Sequence, residues 1–320
     1  MQTSQSQDHI VKNRQNLDVK AFYTDHFVLP LPVGHRFPMQ KYRLLRDRVA
    51  QMMGIELCEA PRATDDDLCL AHTQSYVQAV SEGRLSDAEI REIGFPWSAA
   101  MVERSRRSSG ATLAAAQMAK KDFVSANLAG GTHHAYANKG SGFCVFNDAA
   151  ITALRLKSQG YKQVLVIDLD VHQGNGTASI LQEHPEIFTF SMHGEKNFPF
   201  RKEASSLDLV LSDACDDETY LRLLADSLSQ IEELWIPDFV IYLAGADPHE
   251  GDRLGRLKLS MTGMAKRDQM VFDFCHHWRT PCVIAMAGGY GLNIETTVEV
   301  HAQTINLAYQ HYLRCMEIPA

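Results

Sequence analysis

The sequence predicts an α/β protein of one domain, built as three layers with a central, mainly parallel sheet between two layers of helices. Three observations lead there. Short apolar runs recur that end in Gly, Asp or His, helical patterns lie between them, and no repeat, low-complexity block or Pro/Gly/Ser linker divides the chain. With 320 residues, 45% of them hydrophobic, the chain can bury a core of the size this architecture needs.

The apolar runs are FVSANLAGG (123–131), QVLVIDLDVH (163–172), IFTFSMH (187–193), DFVIYLAGAD (238–247) and PCVIAMAGGY (281–290). Strands buried on both faces of a parallel sheet read as continuous apolar stretches, not as alternating ones. Between them, DDETYLRLLADSLSQIEELW (216–235) opens on acids and repeats apolar residues three and four apart, and SMTGMAKRDQMVFDFCHHW (260–278) carries a similar pattern. The polar residues 1–18 read as a flexible N-terminal segment before a domain over 19–320.

A net charge of −8 gives no global reason to bind nucleic acid or an anionic membrane, so neutral or cationic substrates are the simpler expectation. The seven cysteines, Cys58, Cys69, Cys144, Cys215, Cys275, Cys282 and Cys315, form no C-x-x-C pair and no disulfide rhythm. A reducing, cytoplasmic setting fits them. The opening MQTSQSQDHIVKNRQ lacks a signal-peptide core, and no later segment has the apolar length of a membrane helix.

Open parallel sheets bind ligands beyond the carboxyl ends of their strands. Here those ends carry Gly130-Gly131-Thr132-His133-His134, then Asp168, Asp170 and His172, then Gly245-Ala246-Asp247, then Gly288-Gly289-Tyr290. If the strand stays regular, Asp168, Asp170 and His172 point to one side. Burying such groups unpaired costs several kcal/mol each, and a bound cation is the simplest compensation. Asp170, His172 and Asp247 make a ligand set for a catalytic zinc, which takes imidazole and carboxylate and keeps one position open. Taken singly, each signal has an ordinary reading: a salt-bridged strand end, a solvated histidine pair, an Asp-Pro turn at Asp247, a loop aromatic at Tyr290. Four of them at ends of strands facing one crevice point to chemistry.

The ordered elements HTQSYVQAV (72–80), GGTHHAYANKGSGFCVFNDAAI (130–151), VIDLDVHQGNGT (166–177), LAGADPHEGDRLGRLKLSMTGMAKRD (243–268) and AGGYG (287–291) resemble the histone deacetylase superfamily of the arginase/deacetylase fold. HQGNG and GDRLG are most similar to class IV members and their bacterial relatives. The resemblance covers most of the chain. It implies zinc-assisted hydrolysis of an acyl amide, with Asp170, His172 and Asp247 as zinc ligands and Tyr290 as the phenol that meets the transition state. His133 and His134 fall on the tandem histidines, the second as general base, with Asp168 orienting the first. Gly142 and Phe143 match the acyl-lysine tunnel, with Phe198 or Phe200 as its opposite wall. Gly288 and Gly289 lead into Tyr290 and let the backbone approach the substrate. A structural potassium is implied at Asp168, Asp170, His172, Ser191 and Met192, partly through backbone carbonyls. Asn175 departs from the commoner pattern, where an acid partners the second histidine. An amide orients an imidazole without stabilising imidazolium by a full charge, so His134 is expected to be less basic.

Substrates implied by the resemblance are acylated lysines in peptides or proteins, or acylated small amines such as polyamines. Iron(II) suits the same ligands as zinc. An arginase-like ureohydrolase would need a D-A-H-x-D run and a further D-x-D, where this chain has His172-Gln173-Gly174-Asn175 and Asp247 alone. A non-catalytic acyl-lysine binder would be expected to have lost a ligand, a histidine or the tyrosine. A metal-stabilised structural protein would need neither the paired histidines nor Tyr290.

Overall fold

All five apolar runs form strands, each beginning within a residue of its run and most stopping short of its polar end. The computed structural model describes residues 18–317, so the segment anticipated at 1–18 lies, except for Asp18, outside the described residues. The strands are β1 (Val19–Tyr23), β2 (Ile55–Glu59), β3 (Val124–Asn127), β4 (Val164–Asp168), β5 (Ile187–Gly194), β6 (Leu207–Leu211), β7 (Phe239–Leu243) and β8 (Cys282–Ala285). They form one sheet in the order β2-β1-β3-β8-β7-β4-β5-β6. Every pairing is parallel, so the sheet is wholly rather than mainly parallel.

Side chains alternate between two cores, which is why the inner strands are apolar throughout. Leu165, Ile167, Val240, Tyr242, Cys282 and Ile284 face the helices Lys41–Val49, Asp217–Leu234, Met261–His277 and Ile294–Met316. Val164, Val166, Phe239, Ile241 and Val283 face Gln74–Glu82, Ala99–Asp122 and Asp148–Ser158. The two helices read from sequence start at their caps: Asp216 accepts from Thr219 N–H, and Ser260 from Gly263 N–H. No helix among the described residues is long and apolar enough to cross a membrane.

Three strands had no apolar run to announce them. β2 and β6 are the sheet edges and only half covered, so IELCE and LDLVL mix acids with apolar residues. β1 carries Lys20, whose ammonium pairs with Glu56 on β2. The run 163–172 needs a correction as well. The ladder of β4 stops at Asp168, because the following carboxylates bind their own backbone: Asp168 Oδ1 accepts Asp170 N–H at 3.2 Å and Asp170 Oδ1 accepts His172 N–H at 2.9 Å. Asp170 and His172 therefore leave the strand as successive turns, not as one face of a pleat.

A buried ion pair supports this end of the sheet. Arg267 and Asp268, both fully buried, lie 2.7 Å apart. Arg267 Nη1 donates to the carbonyl of Gly245 at 2.6 Å and stands 3.4 Å from that of Leu169. Asp268 accepts from the hydroxyls of Tyr242 (2.5 Å) and Thr304 (2.6 Å). One guanidinium thus ties together the loops that follow β4 and β7. Arg267→Met leaves a buried carboxylate unpaired and is expected to cost about 3–5 kcal/mol, read as a fall in the denaturant midpoint. Removing both charges, as Arg267→Met with Asp268→Asn, should recover part of that loss. An unchanged midpoint in the single variant would refute this role.

Candidate active site

β3, β8, β7 and β4 are consecutive in the sheet, so their carboxyl ends open into one cavity of about 980 Å³. The loop after β3 is pinned from the start of helix Asp148–Ser158. Asp148 accepts from Gly131 N–H at 3.1 Å, Thr132 N–H at 2.7 Å and the Thr132 hydroxyl at 2.6 Å. Asn147 Nδ2 donates to the carbonyl of Ala135 at 3.0 Å. Between these anchors the chain presents His133 and His134, both buried.

The other side of the cavity holds the anticipated ligand set. His172 Nδ1 lies 2.9 Å from Asp170 Oδ1 and 3.3 Å from Asp247 Oδ2. One donor atom from each residue sits within 4.8 Å of the others. The remaining carboxylate oxygens are taken by backbone: Asp170 Oδ2 accepts Gly288 N–H at 2.8 Å and Asp247 Oδ1 accepts Val171 N–H at 2.9 Å. Asp247 Oδ2, fully buried, has no hydrogen bond of acceptable geometry. An unsatisfied buried oxygen beside an imidazole and a second carboxylate is what a divalent cation would complete, and one nitrogen with carboxylate oxygens suits zinc or iron(II). Burial and Asp170 raise Asp247 to about 7; burial opposes protonation of His172, but the adjacent Asp170 and Asp247 push it up to about 10. Gly288 is required by space: a Cβ there would lie 2.1 Å from Asp247 Oδ2.

The two adjacent histidines differ in charge state. His133 Nδ1–H donates to Asp168 Oδ2 at 2.7 Å. Burial opposes its protonation, but Asp168 and Asp170 lift it to about 9. His134 Nδ1–H donates to Asn175 Oδ1 at 2.7 Å. Burial first, then the charges of His133 and His172, hold His134 well below the ordinary histidine value. The chain of contacts continues outward, since Asn175 Nδ2 donates to the Tyr136 hydroxyl at 2.9 Å and Tyr136 donates to Glu203 at 3.1 Å.

Tyr290 is set by its backbone, with its N–H on Asp252 Oδ2 at 2.6 Å and its carbonyl accepting from Arg253 Nε at 3.0 Å. Burial and Tyr42 hold its phenol well above the ordinary value, so it stays protonated. The anticipated walls meet around the histidines. The Phe198 ring stands 4.8 Å from His134, edge to face. Gly142 has φ +53, and a Cβ there would lie 2.8 Å from the His134 ring and 3.2 Å from Phe198. Phe143 holds a left-handed φ of 66, fixed by its N–H on the carbonyl of Ile93 at 2.7 Å. Phe200 also lines the cavity but is 90% exposed, at the rim.

Ser191 pairs with Asp168 in the β4–β5 register, while the Met192 side chain is buried in the core and leaves only its backbone for an ion. Several residues of the cavity had no role in the sequence reading. Asp148, Asn147 and Tyr136 sit inside the quoted 130–151 element, and Asp252 and Arg253 inside GDRLG, so a motif marked them without explaining them. Phe37, whose ring packs 5.5 Å from Phe143 and 6.2 Å from Tyr290, had no such signal. Among the described residues, His276, His311 and Cys315 form another cluster of ligand types. There the sulfur stands 3.9 and 3.6 Å from the two ring nitrogens of His311.

The chain is similar to several known proteins. A model described as "Histone deacetylase domain" matches residues 35–305. An uncharacterized protein of Picosynechococcus is 43% identical over 284 residues, covering 88% of this chain and 95% of that protein. Histone deacetylase 2 of Arabidopsis thaliana is 32% identical, covering 79% of this chain and 68% of its own. The acetoin utilization protein AcuC of Bacillus subtilis is 29% identical, covering 80% and 72%. Among solved structures, a histone deacetylase homolog complexed with SAHA superposes with a TM-score of 0.78 at 25% identity, covering 91% of this chain and 84% of that one. A homolog from Aquifex aeolicus gives the same TM-score and coverage at 24% identity. This chain, with its wholly parallel α/β sheet of the arginase/deacetylase fold, belongs to the histone deacetylase family of hydrolases.

Proposed function

We propose that the chain is a zinc-dependent amidohydrolase that removes acetyl or longer acyl groups from lysine side chains or related amines, with Asp170, His172 and Asp247 as the metal ligands. The observation that carries this reading is the pairing of an incomplete cation site with an unprotonated imidazole. The ring of His134 stands 5.9 Å from that of His172, in a cavity also lined by a protonated phenol. A divalent ion at the three ligands would supply Lewis-acid polarisation of the amide carbonyl and acidify the attacking water.

The chain's own groups account for the proton movements. His134 has Nδ1–H committed to Asn175, so its free lone pair is on Nε2, and it can accept the proton that the attacking water loses. His133, held on Asp168 and raised to about 9, carries a proton at neutral pH and can supply one to the departing amine. The Tyr290 hydroxyl donates to the oxyanion that develops on the former carbonyl. Gly142, Phe143 and Phe198 enclose the acyl-lysine stem, and Gly288 and Gly289 bring the Tyr290 backbone close to it. Oxygens of Asp168, Asp170, His172, Ser191 and Met192, in part backbone carbonyls, would hold a structural potassium. Asn175 and the GDRLG loop favour the class IV branch, and seven free cysteines suit a cytoplasmic enzyme.

Tyr290→Phe is expected to lower kcat/KM by roughly 10²–10³ on fluorogenic acetyl- and longer acyl-lysine substrates, with metal content unchanged. Hydrolysis that survives this change at full rate, or no hydrolysis of any acyl amine by the metal-loaded protein, would sink the proposal. The Asn175 contact gives a pH-dependent expectation. A carboxylate at 175 would stabilise imidazolium at His134 and raise its pKa, so the base would stay protonated to higher pH. Asn175→Asp should therefore move the acid limb of kcat/KM to higher pH, and a limb that stays put or moves down removes the argument.

A further inference from the structure

The mouth of the cavity has a charge opposite to that of the whole chain. Arg36, Lys139, Lys196, Arg201 and Arg256 line it, against Glu92 and Glu203, on a protein whose net charge is −8. The carboxylates near the mouth are mostly engaged. Glu92 pairs with Lys139 at 2.7 Å, and Lys196 and Arg256 share Asp213 at 3.5 and 3.1 Å. Glu203 accepts from the Tyr136 hydroxyl and turns toward the Asn175 relay. Among the described residues, neither Arg36 nor Arg201 has a carboxylate partner. Arg36 stands over Phe143, its guanidinium carbon 5.1 Å from the ring centroid. Arg201 directly follows Phe200, the exposed aromatic beyond Phe198. One unpaired guanidinium thus stands over the Phe143 wall of the channel, and the other follows the Phe198–Phe200 wall directly in sequence.

We infer that the rim selects acyl-lysine substrates whose neighbouring residues are acidic, with Arg36 and Arg201 as the groups that bind the flanking carboxylates. The inference rests on the deacylase reading above and deepens it. An acylated lysine is neutral, so the channel itself takes no account of charge, and discrimination falls to whatever flanks the acyl group at the mouth. Guanidinium offers two parallel N–H donors that match a carboxylate. Aspartate or glutamate beside the acyl-lysine meets these donors, whereas a lysine-rich peptide or an acetylated polyamine brings further cations to a net positive rim. The neutral-to-cationic preference expected from the overall charge is thereby reversed by the local one.

The test compares acyl-lysine peptides with Asp/Glu, Ala or Lys/Arg on both sides, and an acetylated polyamine, on the metal-loaded full chain. At low ionic strength the acidic peptide is expected to exceed the basic one by roughly fivefold or more in kcat/KM, the equivalent of two exposed ion pairs. The ratio should shrink toward one near ~1 M salt, where screening acts within about 3 Å. In Arg36→Glu with Arg201→Glu the acidic-to-basic ratio should invert. Because that ratio is taken within one variant, partial loss of folded protein cancels from it. Equal rates for acidic and basic peptides, a preference for basic ones, or a ratio unmoved in the double variant would overturn the inference while leaving the deacylase reading intact. If no peptide is hydrolysed, the deacylase reading fails. The inference is then read from binding of the same labelled peptides by fluorescence anisotropy, where equal affinities for acidic and basic peptides overturn it.

Discussion

Three carboxylates, Asp168, Asp170 and Asp247, are buried side by side at the ends of β4 and β7, with exposures of 3%, 1% and 0%. Like charges crowded out of water are costly unless cations and N–H donors surround them, and the local structure around the cavity answers to that cost. His133 and His172 provide the positive charge, each pushed to a high pKa by the carboxylates it touches. The N–H groups of Asp170, Val171, His172 and Gly288 provide the dipoles. One oxygen, Asp247 Oδ2, is left over, and it is on the face where His172 Nδ1 and Asp170 Oδ1 meet.

The backbone that supplies those donors could not hold this shape unaided, since it has left the sheet. Arg267 fixes it from beneath through the carbonyl of Gly245, close to that of Leu169, and is itself neutralised by Asp268 and anchored beside Tyr242 and Thr304. Asp148 does the same for the loop after β3, and Asp252 for the backbone of Tyr290. The loops after β3, β4, β7 and β8 are thus held by charged side chains that take no direct part in the proposed chemistry. Rigid placement of this kind is what a site needs if it is to meet a developing charge without reorganising.

His133 and His134 are adjacent in sequence and their rings lie 4.1 Å apart, yet they are driven to opposite protonation states. The difference lies in what each Nδ1 faces: a carboxylate for His133, a neutral amide for His134. The charge on the first also suppresses protonation of the second. One proton is therefore stored beside a free lone pair, and the identity of residue 175 sets how firmly that division holds.

Much of this was legible in the sequence, because the physics involved is local. Continuous apolar runs ending in polar residues identify buried parallel strands, since both faces of each strand must be covered; Asp170, His172 and Asp247 stood out as candidate ligands because acids and a histidine have no cheap place behind such runs. The half-covered edge strands β2 and β6 gave no such signal, being under no demand to be apolar on both faces. Nor could the sequence show where β4 stops, for Asp168 and Asp170 end the ladder by hydrogen bonds that a regular alternation would hide. Strand order was decided only in three dimensions: β3, β8, β7 and β4 are neighbours through long crossovers, and that adjacency alone brings residues 133, 172, 247 and 290 to one cavity. Phe37 beside Tyr290, Arg267 beneath Gly245 and the basic rim on an acidic chain belong to the same class, because contacts between distant segments are set by how the layers pack and leave no periodic trace along the chain.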